Sequence, residues 1–122
     1  MKKIALLLFN EEHWGKMLVQ NNTLPYVKLE DETDLIDGLS ALSEELNINF
    51  ENELLYYIIR TKEDITYIFV ANSKETPEDC EWINPESTKW DDLNEEQILK
   101  DSLKEKFTNG FLINKTNIID II

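Results

Sequence analysis

The chain is predicted to fold as a mixed β-sheet flanked by helices, in the α/β (α+β) class. Three patterns predict it: a continuous apolar run at the start, one stretch of helical periodicity, and a pair of β-branched, aromatic runs. Their order is strand, strand, helix, hairpin, short strand, helix. At 122 residues the chain has room for one domain, 1–122, and its 42% hydrophobic content supplies a core.

Lys3-Ile4-Ala5-Leu6-Leu7-Leu8-Phe9 reads as a strand covered on both faces. A signal peptide is the competing assignment. The apolar run is too short for one, Asn10-Glu11-Glu12 follow at once, and no small-residue cleavage site is present. The chain is therefore expected to be cytoplasmic, with no membrane association.

Glu11 to Gly15 form a turn, and Lys16-Met17-Leu18-Val19-Gln20 a second, short strand. Asn21-Asn22-Thr23 is turn chemistry. Leu24 to Leu29 is extended, with Pro25 near its start. Leu35, Leu39, Leu42 and Leu46 then form one apolar stripe, which predicts a helix over 34–46. Thr33 is the expected N-cap, Asp34 suits the positive end of the helix dipole, and Asn47 can close the helix in a left-handed conformation.

Residues 53–60 and 65–71 are rich in Ile, Tyr and Val, and Thr61-Lys62-Glu63-Asp64 joins them as a hairpin. Residues 72–79 form a polar loop, and 80–83 a short strand before Pro85. A last helix is expected over 95–107, with Asn94 and Gln97 as a capping pair and Leu99, Leu103 and Phe107 on its apolar face. The tail ends Ile118-Ile119-Asp120-Ile121-Ile122. Exposed, it would be an apolar patch, so it should dock on the domain or on a second subunit as a homodimer.

Twenty-five acidic residues against 12 basic ones give a net charge of −13. Such a surface repels phosphate backbones, which excludes bare nucleic acid and anionic membrane as partners. A single cysteine, Cys80, allows no internal disulfide and no Cys-rich zinc site. No Gly-rich phosphate loop or Ser-His-Asp arrangement is visible. His13 lies in a polar turn with no partner at useful spacing, and fits a surface residue better than a base. Trp14, Trp82 and Trp90 could stack a nucleobase, but core packing is the commoner role. The acidic runs at 30–37 and 75–96 are either solvated surface or a face for a basic partner.

Leu24-Pro25-Tyr26-Val27-Lys28-Leu29-Glu30-Asp31-Glu32-Thr33, followed by Glu44-Glu45-Leu46-Asn47-Ile48, resembles the Nudix box of the Nudix (MutT-like) hydrolases. Glu32 falls at the first glutamate of that pattern, Leu42 at an aliphatic position, Glu44 and Glu45 at the Glu pair, and Ile48 at the closing aliphatic. Glu81-Trp82-Ile83 resembles the strand before the family's closing helix, so the likeness covers about residues 3–107. The departures are specific. Tyr26-Val27 replace a glycine pair, Ser40 and Ala41 replace the box Arg-Glu, and Asn47 replaces a glycine. Tyr26 stands where a ligand's phosphates would approach the backbone, and its ring is expected to fill that space.

The resemblance implies a Nudix-like α/β/α sandwich and a Mg²⁺ ion, with Mn²⁺ as substitute, held by Glu44 and Glu45. Glu32 would assist as a third catalytic carboxylate. Positions 41, 44 and 45 share one helix face, so three carboxylates there would make an oxygen site for Mg²⁺. Ala41 removes one donor. Two expectations follow. Either the chain is a divergent Nudix-type hydrolase cleaving a diphosphate linkage of a nucleoside diphosphate derivative, or it is a catalytically inactive Nudix-fold protein. In the second case it binds a small-molecule nucleotide, or a protein partner through its acidic surface.

Overall fold

The computed structural model describes residues 1–10, 16–75, 77, 80–83, 95, 97, 99–101 and 117–120. His13, Trp14, Trp90, the expected Asn94 cap and most of the last predicted helix lie outside the described residues. So do Leu103 and Phe107.

Among the described residues seven strands form one mixed sheet: β1 (Lys2–Asn10), β2 (Met17–Val19), β3 (Tyr26–Leu29), β4 (Glu51–Arg60), β5 (Ile65–Ser73), β6 (Glu81–Ile83) and β7 (Asn117–Asp120). The order is β6-β2-β1-β5-β4-β7, and β3 pairs with β1. The central strand β1 runs parallel to β5 along its whole length. Its other edge is shared, antiparallel to β3 from Lys2 to Ala5 and to β2 at Phe9. This position explains the apolar run: Ile4, Ala5, Leu6, Leu7 and Leu8 are all buried because both faces are covered.

Alternation along β1 feeds two apolar clusters, one on each face. Ile4, Leu6 and Leu8 join Leu42, Leu46 and Ile48 under the helix. Ala5 and Leu7 join Met17, Val19, Tyr57, Ile59, Ile68 and Leu99 on the opposite face. The helical residues 97 and 99–101 bring Leu99 to that second layer, giving helix on both sides of the sheet.

The helix α1 (Leu35–Leu46) begins one residue later than predicted, and its N-cap is Asp34 rather than Thr33. Asp34 makes no side-chain capping bond. The Thr33 carbonyl instead accepts a hydrogen bond from Lys2 Nζ, which fixes the entry turn from outside the helix. The exit follows expectation. Asn47 is left-handed (φ 55°), with its N–H on the Glu44 carbonyl and the Ile48 N–H on that of Ser43. Gly38 lets α1 approach the sheet: a Cβ there would stand 2.4 Å from Ile4 Cδ1 and 2.5 Å from Leu29 Cδ1.

β4 carries irregularities that its composition conceals. Asn52 has φ 60°, and the pairing with β5 slips between Glu51 and Leu54 and again between Leu55 and Tyr57. The second slip puts consecutive residues Tyr56 and Tyr57 into the same cluster, rings edge to face at 4.7 Å.

The C-terminal tail docks on the domain itself, as β7, parallel to β4 with Arg60 opposite Asp120. Arg60 Nε and Nη2 donate to the two Asp120 carboxylate oxygens at 2.6 and 3.0 Å. This hydrogen bond and the guanidinium charge hold the Asp120 carboxyl below its ordinary value of 3.8. A depressed carboxylate contributes stability above its unfolded-state pKa and loses it as pH falls through the lower folded value. The tail should therefore loosen as acidification passes through that lowered value. In a proton-exchange titration, β7 amides of Asp120→Asn should lack that acid step; an unchanged step would place its origin elsewhere. Among the described residues no helix is long and apolar enough to cross a membrane.

Candidate functional site

The predicted site residues all lie on α1 or the turn before it, yet they do not converge. Glu44 and Glu45 are exposed in the last turn, Ser40 is exposed one turn earlier, and Ala41 is half-buried. Glu32 is exposed in the 31–33 turn, which Lys2 Nζ holds through the carbonyls of Asp31 and Thr33. Glu44 faces a groove with Ser40, Ser43 and Glu53, whereas neither Glu45 nor Glu32 lines it.

Among the described residues no three His, Cys, Asp or Glu side chains stand together as a metal site. The three-carboxylate cluster of the family pattern is therefore incomplete on α1. The physical reason is at position 41. On a helix the three-donor face needs residues i, i+3 and i+4, and the first of these ends in a methyl group.

Tyr26 does not fill the space beside α1. It pairs with Ala5, so its ring projects from the sheet face opposite the helix, where Lys3 Nζ sits 4.6 Å from the ring centroid. Val27 and Leu29 alternate to the α1 side instead. Trp82 and Cys80 also pack on that apolar layer, which for Trp82 is the packing role expected.

The sheet face away from α1 holds a feature that the sequence patterns did not single out. A cavity of about 330 Å³ opens among Lys3, Ala5, Ile59, Thr61, Asp64, Thr66, Ile68, Glu95, Gln97 and Leu99. Four buried apolar side chains, Ala5, Ile59, Ile68 and Leu99, make its floor. Around them stand one ammonium, two carboxylates, two hydroxyls and one amide, from Lys3, Asp64, Glu95, Thr61, Thr66 and Gln97. An apolar floor with a few convergent polar groups is the usual make-up of a small-molecule site.

Several of those polar groups are held in place. Glu95 Oε1 accepts the Leu24 N–H at 3.0 Å, which ties the second helical layer to the start of β3. Gln97 Nε2 donates to Asp101 at 2.8 Å. Thr61 Oγ1 accepts the Asp64 N–H at 3.0 Å, closing the β4–β5 turn, and Asp64 pairs with the N-terminal ammonium at 3.3 Å.

Lys3 has a second cation beside it. Lys28 is its direct partner across β1 and β3, so the two side chains share a sheet face. Like charges directly opposite on a sheet oppose pairing, and here they occur in a chain of net charge −13. Lys3 lines the cavity together with Asp64 and Glu95, and Lys28 stands beside Lys3 on the same sheet face, outside that lining. The sequence signal for the site was faint: Lys3 and small Ala5 interrupt an otherwise bulky apolar strand.

No protein-family model and no curated protein matches the chain. Solved structures do. A NUDIX hydrolase from Nitrosomonas europaea superposes with a TM-score of 0.70 at 17% identity, over 98% of this chain and 78% of that one. A MutT from work on Aliivibrio salmonicida and Vibrio cholerae gives 0.69 at 12% identity, over 90% and 97%. An ADP-ribose pyrophosphatase from Streptococcus suis gives 0.62 at 11% identity, over 96% and 97%. The likeness extends along nearly the whole chain, and the fold is that of the Nudix hydrolases.

Proposed function

We propose that this Nudix-fold chain binds a nucleoside diphosphate derivative in the cavity between the sheet and the second helical layer, without catalysing metal-dependent hydrolysis. The observation that carries the reading is the cavity itself, with its apolar floor beside the Lys3–Lys28 pair. A flat heterocycle covers Ala5, Ile59, Ile68 and Leu99, and its donor and acceptor edge meets Thr66, Gln97 and the two carboxylates. The diphosphate lies toward Lys3 and Lys28, whose ammonium groups offset its charge where the rest of the surface repels it.

Hydrolysis asks for more. In the family pattern three box carboxylates hold the metal that activates water and offsets charge on the leaving group, and Ala41 takes one of them away. The absence of a box arginine at Ser40 removes a further cation from that side of the chain.

Two substitutions test the binding reading. Lys3→Glu replaces the lining ammonium by a carboxylate and should weaken ADP or GDP binding about tenfold, with the loss shrinking at high salt. Thr66→Trp fills the cavity and should abolish binding at every salt concentration. Binding unchanged in both variants would move the ligand elsewhere.

A second reading keeps the chain as a Mg²⁺-dependent Nudix-type hydrolase with Glu44, Glu45 and Glu32 as its carboxylates. It draws on the exposure of both Glu44 and Glu45 and on the left-handed Asn47, which stands at the box glycine position. If a panel of nucleoside diphosphate derivatives is turned over with Mg²⁺ or Mn²⁺, Glu45→Gln should stop it.

A further inference from the structure

We propose that the groove along the outer flank of α1 docks a basic, amphipathic segment of a protein partner. The groove has a volume of about 460 Å³ and lies between α1 and the start of β4. It is separate from the nucleotide cavity, which opens on the opposite face of the sheet, so the two proposals stand or fall independently.

Its apolar surface comes from Ile36, Leu39 and Phe50. Ile36 is 77% exposed, on a helix whose leucines are all half-buried or buried. Helical periodicity does not require it, since it lies off the stripe that faces the sheet. Its carboxylates are Glu44 and Glu53, and among the described residues no Lys or Arg lines the groove. Glu75 adds a third at the end, where its Oε2 accepts the Asn49 N–H at 2.6 Å.

The walls are already ordered. Ser43 Oγ donates to the Ile48 carbonyl, and Ser73 Oγ donates to the Asn49 carbonyl at 2.9 Å. Residues 48–50 are thereby tied to both α1 and β5. A pre-formed groove needs little ordering when a partner arrives.

Charge decides the occupant. A second copy of the chain also carries −13 and would bring its own acidic surface to an acidic groove. Nucleic acid and anionic lipid are repelled for the same reason. A Lys or Arg side chain fits both features, laying its methylenes on Ile36 and Phe50 and its cationic head between Glu44 and Glu53. An apolar neighbour in the same segment covers the rest of Ile36. The contact area is small, which suits a transient interaction.

The test uses the intact chain and short fluorescent peptides of alternating Lys and Leu, with Glu-Leu and Lys-Ser peptides as controls. Amide shifts and fluorescence anisotropy are read together. The Lys-Leu peptide should shift Ile36, Ser40, Ser43 and Glu53, and the controls should not. Ile36→Ser, or Glu44→Gln with Glu53→Gln, should weaken it about tenfold; all three side chains are exposed, so folding is spared. Shifts spread over the acidic surface, no shift at millimolar peptide, or affinity unchanged by these substitutions would overturn the proposal. So would a dimer in light scattering that Ile36→Ser disperses, because a second copy would then be the occupant.

Discussion

Gly38→Leu is expected to lower the unfolding free energy by about 3 kcal/mol, the upper part of the usual range for overpacking a core. Even the first added atom would stand 2.4 Å from Ile4 Cδ1 and 2.5 Å from Leu29 Cδ1. Ile4 is fully buried under α1, so its side-chain end can give way to one methyl but not to a whole leucine. A leucine must therefore push the helix off β1 and β3, disturbing the contacts of Leu42 and Leu46. Gly38→Ala separates the causes. Its single methyl meets only the ends of two side chains, and alanine gains about 1 kcal/mol in helix propensity over glycine. The two effects should nearly cancel. Urea unfolding of both variants checks this; equal stability of Gly38→Leu and the parent would show that α1 does not seat through Gly38.

The second large effect is a gain. Ala41→Glu with Ser40→Arg should raise the chain's affinity for Mn²⁺ and Mg²⁺ well above that of the parent. Position 41 shares a helix face with Glu44 and Glu45, so the substitution completes three carboxylates on one turn and a half of helix. Paramagnetic broadening by dilute Mn²⁺ should appear at the amides of residues 41–45 in the variant alone. The same broadening in the parent would mean that Glu44 and Glu45 suffice, and the hydrolase reading would then regain its metal. Failure in the variant would show that the α1 surface no longer presents these side chains together.

The elements with strong period were legible from composition alone. β1 read as a doubly covered strand because it is central, α1 because Leu35, Leu39, Leu42 and Leu46 face one sheet, and the β4–β5 hairpin because its residues suit a sheet interior. The Asn47 terminus was legible because few residues adopt a left-handed backbone without strain. The N-cap falls at Asp34 rather than Thr33, and Lys2 reaches the same entry turn from β1 to bond the Thr33 carbonyl. Such long-range bonds leave no local pattern.

The site was harder to see for a similar reason. The box resemblance drew attention to Glu32, Glu44 and Glu45, which do not gather into one three-carboxylate cluster. The cavity draws on β1, β4, β5 and the second helical layer, and only the topology brings Lys3, Ile59, Thr66 and Leu99 together. Tyr26 shows how one residue of strand register decides a role. Opposite Ala5 it faces away from α1; a shift of one position would have turned it toward the helix.

The most direct measurement is an amide-shift titration of the unmodified chain with ADP and GDP, run in EDTA and again in Mg²⁺ with product analysis. The account predicts saturable shifts at Ala5, Ile59, Thr66 and Gln97 in EDTA, little change on adding Mg²⁺, and intact nucleotide afterwards. Absence of shifts at those residues, or nucleotide consumed only when Mg²⁺ is present, would contradict it.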